Sequence, residues 1–348
     1  VSDEALFDDL TDDRYGEWLD ASQVELGEVD DADPPVYYSP EEDLLPYQRT
    51  FGYTLEHLER LVEPMAEEGK DPVGAMGNDT PLSVLSSRNK TLFTYFKQLF
   101  AQVSNPPIDY IREEVVTSLE HHVGRQRNLL DETPEHCRQL ALETPVLTRE
   151  QGGKIRTVDR NGIRSATVDL TYDRKETDLE SAVEDVREAA ADAIADGAEV
   201  LVLSDRRTGP DRVPVPSLLA VGGVHHHLVR EGIRHRAGLV VETAQPCAVH
   251  HFCTLVGYGA DAVVPYLAYA SIESLVREGS IDADVDDALA AYRHAVEDGI
   301  QKVMSKIGIS TLESYKGAQI FEADGLDSAF VEEHFEGTVA RTAGVRVA

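Results

Sequence analysis

The chain has 348 residues and carries 64 Asp and Glu against 32 Lys and Arg, a formal charge of −32. That charge argues against nucleic acid and anionic membrane surfaces as partners. The 42% apolar content is enough for a large core, but no run of about 18 apolar residues exists, so no membrane span is expected. The acidity is spread along the whole sequence and only eight of the basic residues are lysine. This suits a salt-rich cytoplasm, where screening weakens self-repulsion. Three sparse cysteines, Cys137, Cys247 and Cys253, fit a reducing compartment rather than a disulfide framework. The opening VSDEALFDDL has neither an initiator Met nor a basic-then-apolar signal, and reads as an excised or processed fragment.

Residues 1–50 are acidic and broken by Pro34, Pro35, Pro40 and Pro46. They read as a linker lying on a partner surface, with a short helix near Tyr15–Asp20 anchored by Trp18. Residues 50–142 read as helical. Thr54 caps a helix whose apolar face is Leu55, Leu58, Leu61, Val62 and Met65, and Gly69 ends it. A second helix carries Leu92, Phe93, Phe96, Leu99, Phe100 and Val103 until Pro106 and Pro107 stop it. Asp109 caps a third over Tyr110–Val123, and Pro134 opens a fourth.

Two loops, Met76–Leu82 and Ser104–Asp109, separate these helices. Asn78, Asp79 and Thr80 make local backbone hydrogen bonds that stiffen a turn, and Asn105 precedes two prolines. Rigid polar loops suit a narrow passage better than a flexible lid.

Beyond residue 142 the pattern changes. Strands are expected at Thr144–Thr148, Ala166–Tyr172, Glu199–Leu203, Gly238–Glu242 and Asp261–Pro265. Helices are expected over Leu179–Asp196, Pro216–Glu231 and Ala248–Tyr258, with a return to helix over 271–335. Continuous apolar strands alternating with helices indicate a parallel sheet covered on both faces. The pattern fits either a doubly wound sheet or part of a (βα)8 barrel.

Chemistry-bearing clusters are few. His225-His226-His227 and His250-His251 sit on neighbouring helices, but adjacent helical positions point about 100° apart, and no HExxH spacing is present. They read as packing and hydrogen-bonding groups. Cys247 and Cys253, spaced C-x5-C, lack a third thiolate for an iron–sulfur cluster and read as buried hydrophobes. No dinucleotide or P-loop glycine pattern occurs. Ser204-Asp205-Arg206-Arg207 falls at the carboxyl end of a strand, where α/β sites sit. Its arginines either grip an anion or fix a loop, and the loop role is favoured.

The long ordered segments FGYT, EPMAEEGKDPVGAMGNDTPLSVLS, FKQLFAQVSNPPIDYIREE, LVLSDR, PSLLAVGGVHHHLVREG, GLVVET, VHHFCTLVGYGADAVVPYLA and VMSKIGISTLESYKGAQIFEADGL together resemble the central domain of the glutamate synthase large subunit. The resemblance covers nearly the whole chain. It implies an α/β fold built as a degenerate (βα)8-barrel-like parallel sheet with a helical N-terminal portion. It divides the chain into an acidic linker from the amidotransferase domain (1–50), the central domain (51–335) and the start of a linker to the FMN domain (336–348).

The implied activity is that of the full enzyme, an oxidoreductase of ammonia assimilation that makes two glutamates from glutamine and 2-oxoglutarate. The resemblance implies no catalytic, cofactor-binding or metal residue in this chain. FMN and a 3Fe-4S cluster belong to the full-length enzyme. The implied partners are the amidotransferase and FMN-binding domains of the same polypeptide, with an NADPH-oxidising small subunit or ferredoxin. The family's ammonia tunnel maps to Met76, Asn78, Asp79, Thr80, Ser104 and Asn105. Ser104 stands where many relatives have Thr, and Tyr110 where Pro is usual. The alternatives are a stand-alone scaffold subunit of a split glutamate synthase and an independent flavin-binding barrel.

Overall fold

A computed structural model describes residues 13–30, 38, 43–72, 81–99, 107–109, 111–131 and 133–346. Its centre is a parallel sheet of four strands, β1 (Ile163–Asp169), β2 (Val200–Ser204), β3 (Gly238–Glu242) and β4 (Ala262–Val264). They lie side by side in chain order. A short antiparallel strand, Asp159–Arg160, extends the β1 edge, and Val146 bridges in parallel to Val263 at the β4 edge. A doubly wound sheet reverses direction at a switch point. This one does not, so its order is that of an arc of a (βα)8 barrel. The strand expected over Thr144–Thr148 is reduced to that single bridge.

The helices are α1 (Arg149–Thr157), α2 (Leu179–Ala195), α3 (Ser217–Arg230), α4 (Val249–Gly257), α5 (Tyr266–Glu278), α6 (Val285–Ile307) and α7 (Ser328–His334). Their starts are legible locally. Thr148 and Gln151 form a reciprocal capping box on α1. Asp178 and Asp284 accept backbone N–H groups at the starts of α2 and α6. Gly279 and Gly308, in the left-handed region, close α5 and α6.

Alternation along each strand splits the core in two. Leu201, Leu203, Leu239, Val241 and Val263 join a large apolar cluster with α2, α3, α4 and α5. Val200, Val202, Val240, Ala262 and Val264 face the other way. In a closed barrel that side would be the lumen, and here α1 fills it with Ile155, followed by Val158. A Cβ on Gly152 would lie 2.6 Å from Val264 Cγ2, so glycine lets α1 sit directly on the strands. A small sheet completes the plug. Val24–Glu25 pairs in parallel with Leu140–Leu142, which pairs antiparallel with His121–Val123. Arg127 and Arg138 both reach Glu199 just before β2, at 3.1 and 2.9 Å.

The N-terminal half departs from the helical reading. A helix does cover Asp13–Ser22, and another runs over 55–68 through a π-helical stretch at Leu58–Val62. Thr54 caps it and Gly69 ends it as expected. Val62 and Met65 are buried, but Leu55 is 69% exposed. The helix expected from Leu92 is instead a 3-10 turn, Leu92–Tyr95, and a strand, Phe96–Gln98, paired antiparallel with Phe321–Ala323. Of the third, among the described residues only Glu113–Val116 is helical, and His121–Val123 is strand. Pro134 opens four 3-10 residues, not a helix. The two strands among these segments satisfy their backbones through distant partners, and helical spacing cannot reveal that.

Candidate functional site

All six residues assigned to the passage, Met76, Asn78, Asp79, Thr80, Ser104 and Asn105, lie outside the described residues, as does Tyr110. The flanks of their loops are described. The helical run before the first loop packs on α6, and a Cβ on Gly69 would be 3.8 Å from Ala291 O of α6. Beyond that loop, Ser83 Oγ donates to Thr94 Oγ1 at 2.8 Å. The second loop is held on both sides. Leu99 N donates to Ile320 O at 2.8 Å, and Ile108 N donates to Ser305 O at 2.9 Å. Ser305 Oγ also donates to Ile108 O. Ser305 lies on the last turns of the 23-residue α6, so this one helix contacts described residues that flank each loop, the run ending at Gly69 and Ile108.

The histidines behave as packing groups. His250 Nε2 hydrogen-bonds to Phe93 O at 3.0 Å. His251 stacks on Phe93 with ring centroids 4.4 Å apart, and its Nδ1 accepts from Cys247 N at 3.2 Å. His225 Nδ1 accepts from Arg234 Nε at 3.1 Å. Burial disfavours the charged form of all three, and Arg234 adds to this in pushing His225 down to about 3. All three are neutral near neutral pH, with His225 and His251 accepting through Nδ1 and His250 donating its Nε2–H to the Phe93 carbonyl. Among the described residues no group of three or more His, Cys, Asp or Glu could hold a metal ion.

Among the described residues the cysteines do not gather into a cluster-binding set, and α1 occupies the lumen of the arc. The three cysteines are buried and unbridged, and desolvation pushes the thiols of Cys247 and Cys253 up to about 12. A flavin ring has no room in a lumen filled by α1. Above α1, at the carboxyl ends of the strands, the cavity is only about 270 Å³.

That carboxyl end holds what the sequence only half disclosed. Asp205 is fully buried. It accepts from Thr243 Oγ1 and Tyr266 Oη, both at 2.5 Å, and from Ala244 N at 3.2 Å. Desolvation raises it to about 7 against those hydrogen bonds. Beside it Glu242, also buried, accepts from Ser204 Oγ at 2.5 Å and pairs with Arg156. Arg206 Nη1 lies 3.9 Å from Glu242, and Arg207 pairs with Asp169 at 3.3 Å. The loop-fixing role expected for these arginines is therefore present. Glu242 carried a signal, an acidic residue ending an apolar strand. Arg156, 86 positions away, carried none.

Taken together, the described residues define an α/β domain built on an open barrel arc with its lumen plugged. Residues 46–327 match the family described as the glutamate synthase central domain, and the chain belongs to that family. It is 41% identical over 346 residues to the glutamate synthase (NADPH) large chain of Bacillus subtilis, covering 99% of this chain and 22% of that one. It is 42% identical over 349 residues to ferredoxin-dependent glutamate synthase 2 of a Synechocystis species, covering 96% and 22%. The glutamate synthase (NADH) of Saccharomyces cerevisiae is 44% identical over 306 residues, covering 84% and 14%. The chain thus spans about a fifth of the length of such relatives. No helix among the described residues is long and apolar enough to cross a membrane.

Proposed function

We propose that the chain acts within a glutamate synthase as the rigid body between the glutamine-hydrolysing site and the FMN site, and that its loops wall an ammonia passage. The partners in this reading are the amidotransferase and FMN-binding domains of the same polypeptide, which carry the catalytic residues, FMN and the 3Fe-4S cluster. The electron donor, an NADPH-oxidising subunit or ferredoxin, docks elsewhere. Relatives named for NADPH, NADH and ferredoxin match this chain about equally, which supports a role indifferent to the donor. The domain limits in this reading are 1–50, 51–335 and 336–348, and the setting is a salt-rich cytoplasm.

The observation that carries the proposal is that described residues flanking each loop contact the same helix, α6. Ser305 holds Ile108 through one backbone bond and one from its side-chain hydroxyl, and the helical run ending at Gly69 packs on the same helix. A wall must hold its width, and fixed flanks on one helix suit that. Met76 supplies an apolar surface, Asn78, Asp79 and Thr80 a stiff turn, and Ser104 and Asn105 a polar gate. A closed passage keeps ammonia from bulk water, where protonation would remove its nucleophilicity.

The test is Ser104→Trp in the full-length enzyme. Glutamine-dependent glutamate synthesis is expected to fall at least about tenfold, the size of a packing-scale obstruction, with ammonia-dependent synthesis retained. Equal loss of both activities overturns the passage.

A further inference from the structure

Leu129 and Leu130 are the two most exposed large apolar side chains among the described residues, at 92% and 91%. They sit side by side in the loop that follows the strand His121–Val123. Polar contacts fix the turn around them. Asn128 Oδ1 accepts from Leu130 N at 3.2 Å, Asn128 Nδ2 donates to Asp131 Oδ2 at 2.7 Å, and Asn128 O accepts from Asp131 N at 3.0 Å. His136 Nε2 donates to Asp131 O at 2.6 Å. The base of the loop is tied to the sheet. Gln126 N donates to His235 O at 2.8 Å, shortly before β3, and Arg127 pairs with Glu199, just before β2. Singly scattered apolar residues on a surface need no explanation, but adjoining ones held outward do.

Charge singles out the same loop. Acidic residues are 64 of the 348, yet none falls between His121 and Leu130, nor between Gly232 and Gly238, the segment that Gln126 joins. Arg125 and Arg138 lie close enough to Arg127 to disfavour its charged form, behind burial and against the pull of Glu199. The carboxylates facing these arginines are the buried Glu199 and the exposed Glu135. Arg125 Nε is buried with no hydrogen-bond partner among the described residues. The strongly anionic remainder of the surface repels an acidic body, and this patch does not.

We propose that Leu129 and Leu130 dock in an apolar pocket on another domain of the same polypeptide. This rests on the setting proposed above, in which the chain is one body of a longer glutamate synthase; it spans about a fifth of the length of such relatives. Two leucines make a contact too small to hold separate proteins together. Between domains already linked it suffices, because the tether supplies an effective concentration on the order of millimolar. A second copy of the chain is a poorer occupant, since two bodies of charge −32 repel each other.

The test is hydrogen exchange read by mass spectrometry on the full-length enzyme and on this chain alone. Amides from Gln126 to Asp131 are expected to exchange at least about tenfold more slowly in the full-length enzyme, as closure of a contact over the loop produces. With Leu129→Asp and Leu130→Asp together in the full-length enzyme, exchange there is expected to return to the rate of the chain alone. Both side chains are exposed, so the double substitution should leave the melting temperature of the chain alone unchanged. Equal rates in the two proteins overturn the proposal, and so does slow exchange that survives the double substitution. Sedimentation of the chain alone checks the other occupant. A monomer is expected, and a dimer that the double substitution abolishes gives the leucines to a second copy and overturns the proposal. The Ser104 passage can fail without moving any of these readouts, and the leucine contact can fail with the passage intact.

Discussion

The two ends of the parallel sheet each bury one aspartate, and they stabilise it in opposite ways. At the carboxyl end Asp205 is surrounded by neutral donors, Thr243, Tyr266 and the backbone of Ala244. Desolvation wins there, and its carboxyl rises to about 7. At the amino end Asp261 accepts from Leu239 N at 2.6 Å, pairs with Lys316 and lies 3.7 Å from Arg234. Desolvation also raises it, but Lys316 and Arg234 more than offset that, and its carboxyl is held below the usual range. Equal burial gives opposite ionisation because only full charges match the cost of removing a carboxylate from water.

Breaking the amino-end pair gives the largest expected effect. Lys316→Met leaves Asp261 buried with Arg234 alone. Unfolding in urea is expected to show a loss of about 3 kcal/mol, the scale for stranding a buried charge. Adding Asp261→Asn should recover more than about 1 kcal/mol of that loss, because the two sites share one interaction. Strictly additive effects would mean that the pair holds nothing together.

The carboxyl end is tested by pH. Asp205 has a higher pKa folded than unfolded, so the folded state binds the extra proton. Its contribution is complete below about 4, the unfolded value, and is lost as pH rises towards about 7. Wild-type stability should carry a downward component approaching about 1.4 kcal/mol per pH unit in that window. Asp205→Asn should remove that component, which urea midpoints at several pH values will show. Asp261 acts in the opposite sense. Its contribution is present above the unfolded value and lost as pH falls through its lowered folded value. A pH profile unchanged by Asp205→Asn would mean that Asp205 is ionised in both states.

The same contrast explains what the sequence disclosed. The units from α2 to β4 were legible because caps, apolar strands and helix spacing are local signals. Gly238–Glu242 was read to the residue. Spatial strand order was not, since a doubly wound sheet and a barrel arc share one alternation. Phe93 and Phe96 have helical spacing, yet Phe96 belongs to a strand paired with Ala323, 227 positions away. A 3-10 turn followed by a strand buries residues three apart just as a helix does. Asp205 and Arg206 were visible as a polar strand end. Their partners Tyr266 and Glu242 come from later units, and although Glu242 stands out as an acidic end to its own apolar strand, nothing in the sequence pairs either with this strand end. The passage residues were reached through resemblance alone, because stiff turns of Asn, Asp, Thr and Pro are common in loops with no such task.

Salt gives the smallest effect and sharpens the comparison furthest. The surface is strongly anionic, and at about 1 M salt the Debye length shrinks to about 3 Å, so repulsion between exposed carboxylates is screened. Melting temperature should therefore rise by several degrees between about 0.1 M and about 2 M KCl, as a gain on the order of 1–2 kcal/mol would produce in a chain this long. Lys316 and Asp261 are buried together, with side-chain exposures of 13% and 4%, and mobile ions do not come between them. The cost of Lys316→Met should then be the same at both salt concentrations, while the stability of the parent chain moves. If salt leaves the parent unchanged, the acidic surface is not an adaptation to ionic strength. If salt erases the Lys316→Met penalty, the pair is solvated and the amino end of the sheet is more open than its burial indicates.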